Sequence, residues 1–296
     1  MKGVNTMAYL TLMRPANVVT SVADILAGYL VALATMSAIL SWQDMLWLCL
    51  ATAGLYGGGV ALNDALDAGL DRIERPERPI PSGKISQANA TWFALSLMGG
   101  GVFAASMVSG LSLIIAIGIA VMAILYNAWA KHLKVAGPLF MGGCRGANLL
   151  LGISGVEGAT GSVGWVAVFS LLYIFAVTLI SQGEVHGKNR SSLKIAATIY
   201  GFVILSVCLM SSFTAFSLYT AAPWLLLLSV MIFSPLFDAL KKQQPLLIKH
   251  AVKVGVLSLI IFDAALVAGF SSLLLSLLIF LLLPISFVIS RLFAVT

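Results

Sequence analysis

Long runs of apolar residues fill most of this chain, and short polar segments separate them. An α-helix needs about 20 such residues to cross a lipid bilayer. The pattern therefore predicts an all-α, polytopic membrane bundle of nine to ten transmembrane helices. The count stays open because only a short turn signal, at 269–272, divides the last two runs. The predicted runs are 15–40, 45–66, 88–109, 111–129, 138–156, 163–181, 193–214, 222–240, 250–270 and 272–290.

The composition agrees with a membrane protein. Of the 296 residues, 60% are hydrophobic and 9% are charged, and the mean hydropathy is +1.04. Soluble domains carry about 25% charged residues, which excludes a soluble globule with a single anchor. The first run begins directly after Arg14 and is too long for the apolar core of a cleaved signal peptide. We therefore expect one integral-membrane domain over 1–296.

The basic residues predict the orientation of the bundle. With the N-terminus inside, all seventeen Lys and Arg residues fall on one side or in the first turns of helices that start there. The opposite loops, at 41–44, 109–111, 157–161 and 215–221, carry none. This is the positive-inside pattern, so we expect a cytoplasmic N-terminus. It also explains the net charge of +6 without a nucleic-acid partner.

A carboxylate-rich segment at the end of the second run is the strongest chemical signal. On a continuous helix, Asn63, Asp67 and Asp71 fall at i, i+4 and i+8 and form one stripe. Hard oxygen ligands are what Mg²⁺ prefers, and Mg²⁺ usually completes its shell with water and phosphate oxygens. The pattern indicates a Mg²⁺–diphosphate site on the cytoplasmic side. The alternative is that the acids cap a helix or pair with Arg72 and Arg75.

The longest inner loop follows these acids directly. It runs from Arg72 to Lys84, contains three prolines and shows no apolar period. A flexible spacer would be rich in Gly and Ser, so we predict a structured lid.

A weaker pattern indicates an internal repeat. Arg14-Pro15-Ala16-Asn17 opens the first run, and Arg145-Gly146-Ala147-Asn148 lies near the start of the fifth. The acidic segment ends the second run, and a polar segment around Glu184 ends the sixth. Both features recur four helices apart. We therefore expect two related four-helix halves, about 14–130 and 138–240, with the site between them.

Taken together, the polar motifs resemble those of the UbiA superfamily of intramembrane prenyltransferases. Two weaker pairs, Tyr126 with Lys131 and Arg145 with Asn148, also stand where that family places them. The similarity covers nearly the whole chain. The principal motifs are Arg14-Pro15-x-Asn17, Asn63-Asp64-x-x-Asp67-x-x-x-Asp71 and Arg75-Pro76-x-Arg78-Pro79-x-Pro81-Ser82-Gly83.

The resemblance implies a helical bundle around a central cavity and a Mg²⁺-dependent prenyl transfer. The donor would be an isoprenoid diphosphate and the acceptor a hydrophobic or aromatic molecule. Mg²⁺ and cationic side chains would stabilise the departing diphosphate, and the apolar cavity would shield the allylic cation from water.

The resemblance also implies roles for individual residues. For each basic residue the alternative is topological, since Lys and Arg are expected at inner helix ends. The implied metal ligands are Asn63, Asp67 and Asp71, and the implied catalytic residues are Asp67, Asp71 and Glu184. The implied substrate contacts are Arg14, Asn17, Arg78, Tyr126, Lys131, Arg145, Asn148 and Lys188, with Arg14, Arg78, Lys131 and Arg145 as candidate diphosphate contacts.

The chain departs from the family at the second acidic motif, after the sixth run. One acid remains there, Glu184, and Lys188 stands where another Asp is expected. A protonated Lys cannot ligate Mg²⁺ because it has no acceptor, but it can contact a phosphate. Either Lys188 replaces a second metal and catalysis continues with one Mg²⁺, or the chain binds its ligand without turnover. His186 could act as a base toward an acceptor proton, or it is simply solvated.

Two further acids, Asp24 and Asp263, lie deep in apolar runs. Ionisable residues at such depth are functional candidates. Acceptor binding, a proton path and purely structural pairing all remain open. The degraded second motif and these two acids motivate an alternative function, a non-catalytic carrier of an isoprenoid or a small aromatic metabolite.

Overall fold

The computed structural model describes residues 6–184, 187 and 189–293, and this part of the chain is helical with no strand. The fourteen α-helices are α1 Thr6–Met13, α2 Pro15–Met36, α3 Trp42–Leu66, α4 Ala68–Glu74, α5 Gln87–Ser106, α6 Gly110–Ala128, α7 Ala136–Ile153, α8 Ala159–Val163, α9 Ala167–Ser181, α10 Arg190–Met210, α11 Leu218–Lys242, α12 Pro245–Phe270, α13 Leu273–Phe280 and α14 Leu282–Leu292. Short 3₁₀ turns lie at Ala130–His132 and Gly164–Val166.

Each of the ten predicted runs forms helix, which confirms the all-α membrane bundle. Eight helical spans of the described chain are long and apolar enough to cross a bilayer, and the less apolar helices α5 and α7 pack among them. Helix α1, formed by the largely apolar residues Thr6–Met13, was not predicted, and it packs against α3.

Serine caps start several of the helices. The hydroxyls of Ser41, Ser86, Ser109 and Ser272 each accept a hydrogen bond from the backbone N–H three residues later. Such caps satisfy one of the backbone donors left unpaired at a helix N-terminus. They fix where α3, α5, α6 and α13 begin.

Helix α12 lies at the centre of the bundle. Every residue from Leu257 to Gly269 is buried, and the helix contacts α2, α9, α11, α13 and α14. A helix that is buried on all sides is typical of the core of a large bundle. The single acid of this stretch, Asp263, is therefore surrounded by protein.

Helices α2 and α7 approach each other closely through two glycines. A Cβ on Gly28 would collide with the backbone carbonyl of Leu149, and a Cβ on Gly152 would collide with the carbonyl of Ile25. Small residues allow membrane helices to pack backbone against backbone. This contact fixes α2 relative to α7.

Candidate active site

The acidic segment lies at a break between two helices. Helix α3 ends at Leu66, Asp67 caps it, and α4 starts at Ala68. The prediction that Asn63, Asp67 and Asp71 form one stripe is wrong for Asp71. Asn63 and Asp67 face the end of α6, whereas Asp71 shares its partner with Asp64.

That shared partner is Arg78. Its Nη1 donates a hydrogen bond of 2.7 Å to Asp71 and one of 3.1 Å to Asp64. Arg14 adds a hydrogen bond of 2.9 Å from Nη2 to the same oxygen of Asp64. Both carboxylates are buried. Two guanidinium groups thus hold two carboxylates in a connected network, which is stronger than isolated surface pairs.

The two arginines lie outside regular helix, and the local backbone directs their side chains to the site. Arg14 joins α1 to α2 with a left-handed backbone, φ 48°, which is uncommon for a residue with a side chain. Arg78 stands in the proline-containing loop, which forms hydrogen-bonded turns and buries Pro79 and Ile80. The loop has the structured character that its sequence predicts.

Asp67 and Asn63 are held by residues from the end of α6. Lys131, in the 3₁₀ turn after α6, donates from Nζ to Asp67 over 2.5 Å. Asn63 donates from Nδ2 to Asn127 over 3.0 Å, and Asn127 donates to the carbonyl of Gly59. Tyr126 is close enough to Asp67 and to Arg14 to interact electrostatically with both. Helices α3 and α6 therefore meet at the site through polar side chains.

These residues define what we call the acidic mouth, the end of the bundle formed by Arg14, Asp64, Asp67, Asp71, Arg78 and Lys131. Asn17 is buried one turn into α2, beside this end. Among the residues that the resemblance implied, Arg14, Asn17, Asn63, Asp67, Asp71, Arg78, Tyr126 and Lys131 lie at or next to the acidic mouth.

Glu184, in the turn after α9, is close enough to Arg14 of the acidic mouth to interact with it electrostatically. Burial raises the pKa of the Glu184 carboxyl, and the nearby positive charges of Lys249, Arg75 and Arg14 counteract that effect. Lys249 and Arg75 were not singled out from the sequence. Two predicted residues of this segment, His186 and Lys188, lie outside the residues that the structure describes.

Arg145 and Asn148 do not belong to the acidic mouth. The resemblance implied a diphosphate contact for Arg145, but its Nε lies 2.6 Å from Asp24. Asn148 donates hydrogen bonds to Asp24, over 2.9 Å, and to the carbonyl of Ser21. Arg145 is the tenth residue of α7, so it lies about 14 Å along that helix from its start. We call Asp24, Arg145, Asn148 and Asp263 the deep polar cluster.

Asp64 is the site residue that sequence reasoning missed. It lies within the acidic motif, but the stripe at i, i+4 and i+8 passes beside it and so predicts no role for it. Asp64 and Asp71 are seven residues apart, about two helical turns, and this spacing also places two side chains on one face. That second spacing was the available signal.

The oxygen ligands at the acidic mouth are of the type that Mg²⁺ binds. The nitrogen of the Asn63 amide is used by Asn127, so its oxygen is the atom that can act as a ligand. Within the described residues, no three His, Cys, Asp or Glu side chains converge to hold one ion. Asp64, Asp67 and Asp71 instead pair with Arg and Lys. The oxygen atoms of these side chains are suitable ligands for Mg²⁺. In the structure, Arg and Lys side chains pair with the carboxylates that would otherwise bind the ion.

Comparison with known proteins agrees with the motifs. The model of the UbiA prenyltransferase family matches residues 23–244, which is most of the chain. A digeranylgeranylglyceryl phosphate synthase from Methanoculleus marisnigri is 32% identical over 196 residues, which cover 66% of this chain and 68% of the relative. The same enzyme from Methanopyrus kandleri is 31% identical over 201 residues, covering 66% and 70%.

Solved structures share the fold. A digeranylgeranylglyceryl phosphate synthase structure superposes with a TM-score of 0.69 at 21% identity, covering 90% of this chain and 98% of the other. A UbiA homologue from Archaeoglobus fulgidus bound to GPP and Mg²⁺ superposes with a TM-score of 0.60 at 14% identity, covering 88% and 99%. The resemblance read from the motifs is thereby confirmed. The chain belongs to the UbiA family and is a membrane-embedded prenyltransferase.

Proposed function

We propose that the acidic mouth binds the diphosphate of an isoprenoid donor together with Mg²⁺, and that the protein transfers the prenyl group to a hydroxyl-bearing acceptor. The supporting observation is the network in which Arg78 links Asp64 to Asp71 and Arg14 joins them. It gathers carboxylates for a metal and guanidinium groups for a phosphate at one end of an apolar bundle. Asn63, Asp64, Asp67 and Asp71 are the residues that would hold the metal.

Donor binding is an exchange of partners. In the structure each carboxylate of the mouth is neutralised by Arg14, Arg78 or Lys131. A diphosphate brings negative charge for these cations, and Mg²⁺ brings positive charge for the carboxylates. The charged groups therefore keep partners throughout, which matters because an unpaired buried charge is costly.

After donor binding, the residues of the acidic mouth would also promote the transfer of the prenyl group. As the bond between the allylic carbon and the diphosphate oxygen breaks, the electron pair leaves with the diphosphate. Bound Mg²⁺ would supply Lewis-acid stabilisation of that charge. Arg14, Arg78 and Lys131 would stabilise it as fixed donors. The acceptor oxygen forms the new bond to carbon and its proton passes to the released diphosphate, while the surrounding helices exclude water from the allylic cation.

The relatives limit the substrates. Solved UbiA homologues are bound to GPP with Mg²⁺ and to DMAPP with Mg²⁺, which supports an isoprenoid diphosphate as donor here. The relatives named digeranylgeranylglyceryl phosphate synthase support a glyceryl lipid as acceptor. An aromatic acceptor is the second class. We also propose that the acidic mouth faces the cytoplasm, as the distribution of Lys and Arg indicates.

A turnover experiment tests the proposal. Full-length protein in lipid nanodiscs is incubated with radiolabelled geranyl, farnesyl or geranylgeranyl diphosphate, a panel of glyceryl and aromatic acceptors, and Mg²⁺ or EDTA. We expect Mg²⁺-dependent release of pyrophosphate and a prenylated product, with both lost in Asp71→Asn. Binding of the donor without pyrophosphate release from any acceptor would instead favour the carrier that the degraded second motif suggests.

A further inference from the structure

Two cations near the acidic mouth, Arg75 and Lys249, take no part in the network around its acids. The three cations that hold those acids are each paired with a carboxylate. Arg75 and Lys249, by contrast, form no salt bridge with any residue that the structure describes. Both are close enough to Glu184 to interact with it electrostatically. We call Arg75 and Lys249 the basic rim.

Helix packing brings Lys249 to the same opening of the bundle. The turn after α9 packs against the first turn of α12, where a Cβ on Gly183 would lie 3.2 Å from Cδ1 of Ile248. Lys249 follows directly and precedes Asp263 by about four helical turns, so both side chains leave α12 on nearly the same face. That face meets α2 at Asp263, and α2 begins beside Arg14. Lys249 is exposed, so its ammonium group is available to a ligand there.

Arg75 connects the basic rim to the acidic network. It ends α4, where its backbone N–H donates to the carbonyl of Asp71, and its side chain is half-buried. Arg14, which is hydrogen-bonded to Asp64, is also near Glu184. Arg14 therefore stands between the acids and the basic rim. The rim adjoins the proposed site of the donor diphosphate but lies outside the ion pairs that would open to bind it.

A second anion at this opening is what a glyceryl phosphate acceptor would bring. The product in the names of the relatives, digeranylgeranylglyceryl phosphate, carries two prenyl groups and a phosphate on one glycerol backbone. An acceptor for the second prenyl group thus has its free hydroxyl and its phosphate on the same three carbons. Because the hydroxyl must reach the donor carbon beside the diphosphate, the acceptor phosphate must also lie near the mouth. Two neighbouring anions repel each other, so further cations are needed.

From these observations we infer that Arg75 and Lys249 bind the phosphate of a glyceryl lipid acceptor, and that they select this acceptor over its uncharged analogue. Lys249 offers a point charge, and Arg75 offers a planar set of donors that matches phosphate oxygens. Burial raises the pKa of the Glu184 carboxyl, so the uptake of a proton can remove its repulsion of an incoming phosphate. This inference rests on the proposed function, because it assumes that the donor diphosphate occupies the acidic mouth.

Two acceptors that differ only in the phosphate test the inference. Geranylgeranylglyceryl phosphate or geranylgeranylglycerol is supplied to the nanodisc-embedded protein with geranylgeranyl diphosphate and Mg²⁺, and pyrophosphate release gives kcat/KM for each. We expect the wild type to prefer the phosphate by at least about tenfold, which corresponds to one hydrogen bond between charged groups. Donor binding is measured separately, as the Kd of geranylgeranyl S-thiolodiphosphate, an analogue whose diphosphate leaves poorly.

The variants Lys249→Met and Arg75→Gln carry the decision. We expect each to lower kcat/KM for the phosphate acceptor by about tenfold, through a higher KM, because one contact to the phosphate is lost. The value for geranylgeranylglycerol and the Kd of the thiolodiphosphate should stay as in the wild type. Lys249→Arg keeps the charge and should keep most of the preference. Lys242→Met removes an exposed lysine at the end of α11, so it is the matched control and should behave as the wild type.

The outcomes separate this inference from the proposed function. A Lys249→Met protein that keeps the full preference, or that loses activity equally with both acceptors, would contradict the inference. Weaker thiolodiphosphate binding in this variant would also contradict it, because Lys249 would then serve the donor. If the wild type binds the thiolodiphosphate but does not use the phosphate acceptor, the inference is overturned and the proposed function stands with its aromatic acceptor. Absence of thiolodiphosphate binding would overturn the proposed function and this inference with it.

Discussion

Nη1 of Arg78 donates a 2.7 Å hydrogen bond to Asp71, a residue that precedes it by seven positions and stands on a different structural element. The contact joins the proline-containing loop to α4. It places the guanidinium over the acidic segment, where a diphosphate would bring its negative charge.

Replacement of Arg78 should remove the main cationic contact of the mouth. We expect Arg78→Ala to lower kcat/KM for the isoprenoid diphosphate by about 10² to 10³, the range for loss of one donor that stabilises a developing charge. Pyrophosphate release at varied donor concentration measures the effect. Arg72→Ala is the matched control, since Arg72 is exposed on α4. An Arg78→Ala enzyme as active as the Arg72→Ala enzyme would contradict the assignment.

Asp64 should matter as much as the acids that the family motif highlights. We expect Asp64→Asn to reduce activity at least about 10²-fold and to raise the Mg²⁺ concentration needed for half-maximal activity, because one hard oxygen ligand is lost. A Mg²⁺ titration of initial rates measures both quantities. The exposed Asp238→Asn serves as control. A normal Mg²⁺ dependence in Asp64→Asn would show that Asp64 only positions the arginines.

Lys131 should act on the donor. We expect Lys131→Met to weaken binding of geranylgeranyl S-thiolodiphosphate about tenfold, because the phosphate loses a point-charge contact. Radioligand binding in nanodiscs gives the Kd. Lys134→Met removes an exposed lysine from the neighbouring turn and should leave the Kd as it is. Equal Kd values for Lys131→Met and Lys134→Met would show that Lys131 does not contact the donor and serves only the orientation of the protein in the membrane.

The glycine contact between α2 and α7 should limit stability. We expect Gly28→Ala and Gly152→Ala to destabilise the protein by about 1–3 kcal/mol, as overpacking of a tight core does. Loss of monodisperse protein on heating in detergent is the measurement. Gly118→Ala is the control, because a Cβ at Gly118 meets no atom within 4 Å. Alanine is also the better helix former, so this control should be neutral or slightly stabilising.

Much of the fold could be predicted because the lipid hydrocarbon permits few backbone structures. Backbone polar groups in a bilayer must be satisfied within each helix, so long apolar runs become helices. The cluster of Arg14, Arg78 and Lys131 around the acids could also be anticipated, since the sequence places the acidic motif and these cations on the same side of the predicted helices. The internal repeat over 14–130 and 138–240 stays a prediction.

The parts that could not be predicted depend on contacts between distant segments. Gly69 lies two residues after the break at Asp67, but a single Gly inside a helical pattern does not by itself end a helix. The pairing of Arg145 with Asp24 joins residues 121 positions apart, and the sequence alone offers Arg145 several equally plausible partners. Asp64 was missed for the same reason: its importance comes from Arg14 and Arg78, which reach it from other elements.

The pairing of acids with internal cations at the mouth also bears on the membrane itself. A bundle with an apolar interior and a charged opening at one face risks becoming a leak for protons or metal ions, which would dissipate the transmembrane potential. Arg14, Arg78 and Lys131 neutralise the carboxylates from within, so stray cations find few free ligands there. With the Mg²⁺ site that we propose, the protein would thus hold its metal at one end of the bundle and still insulate the two compartments from each other.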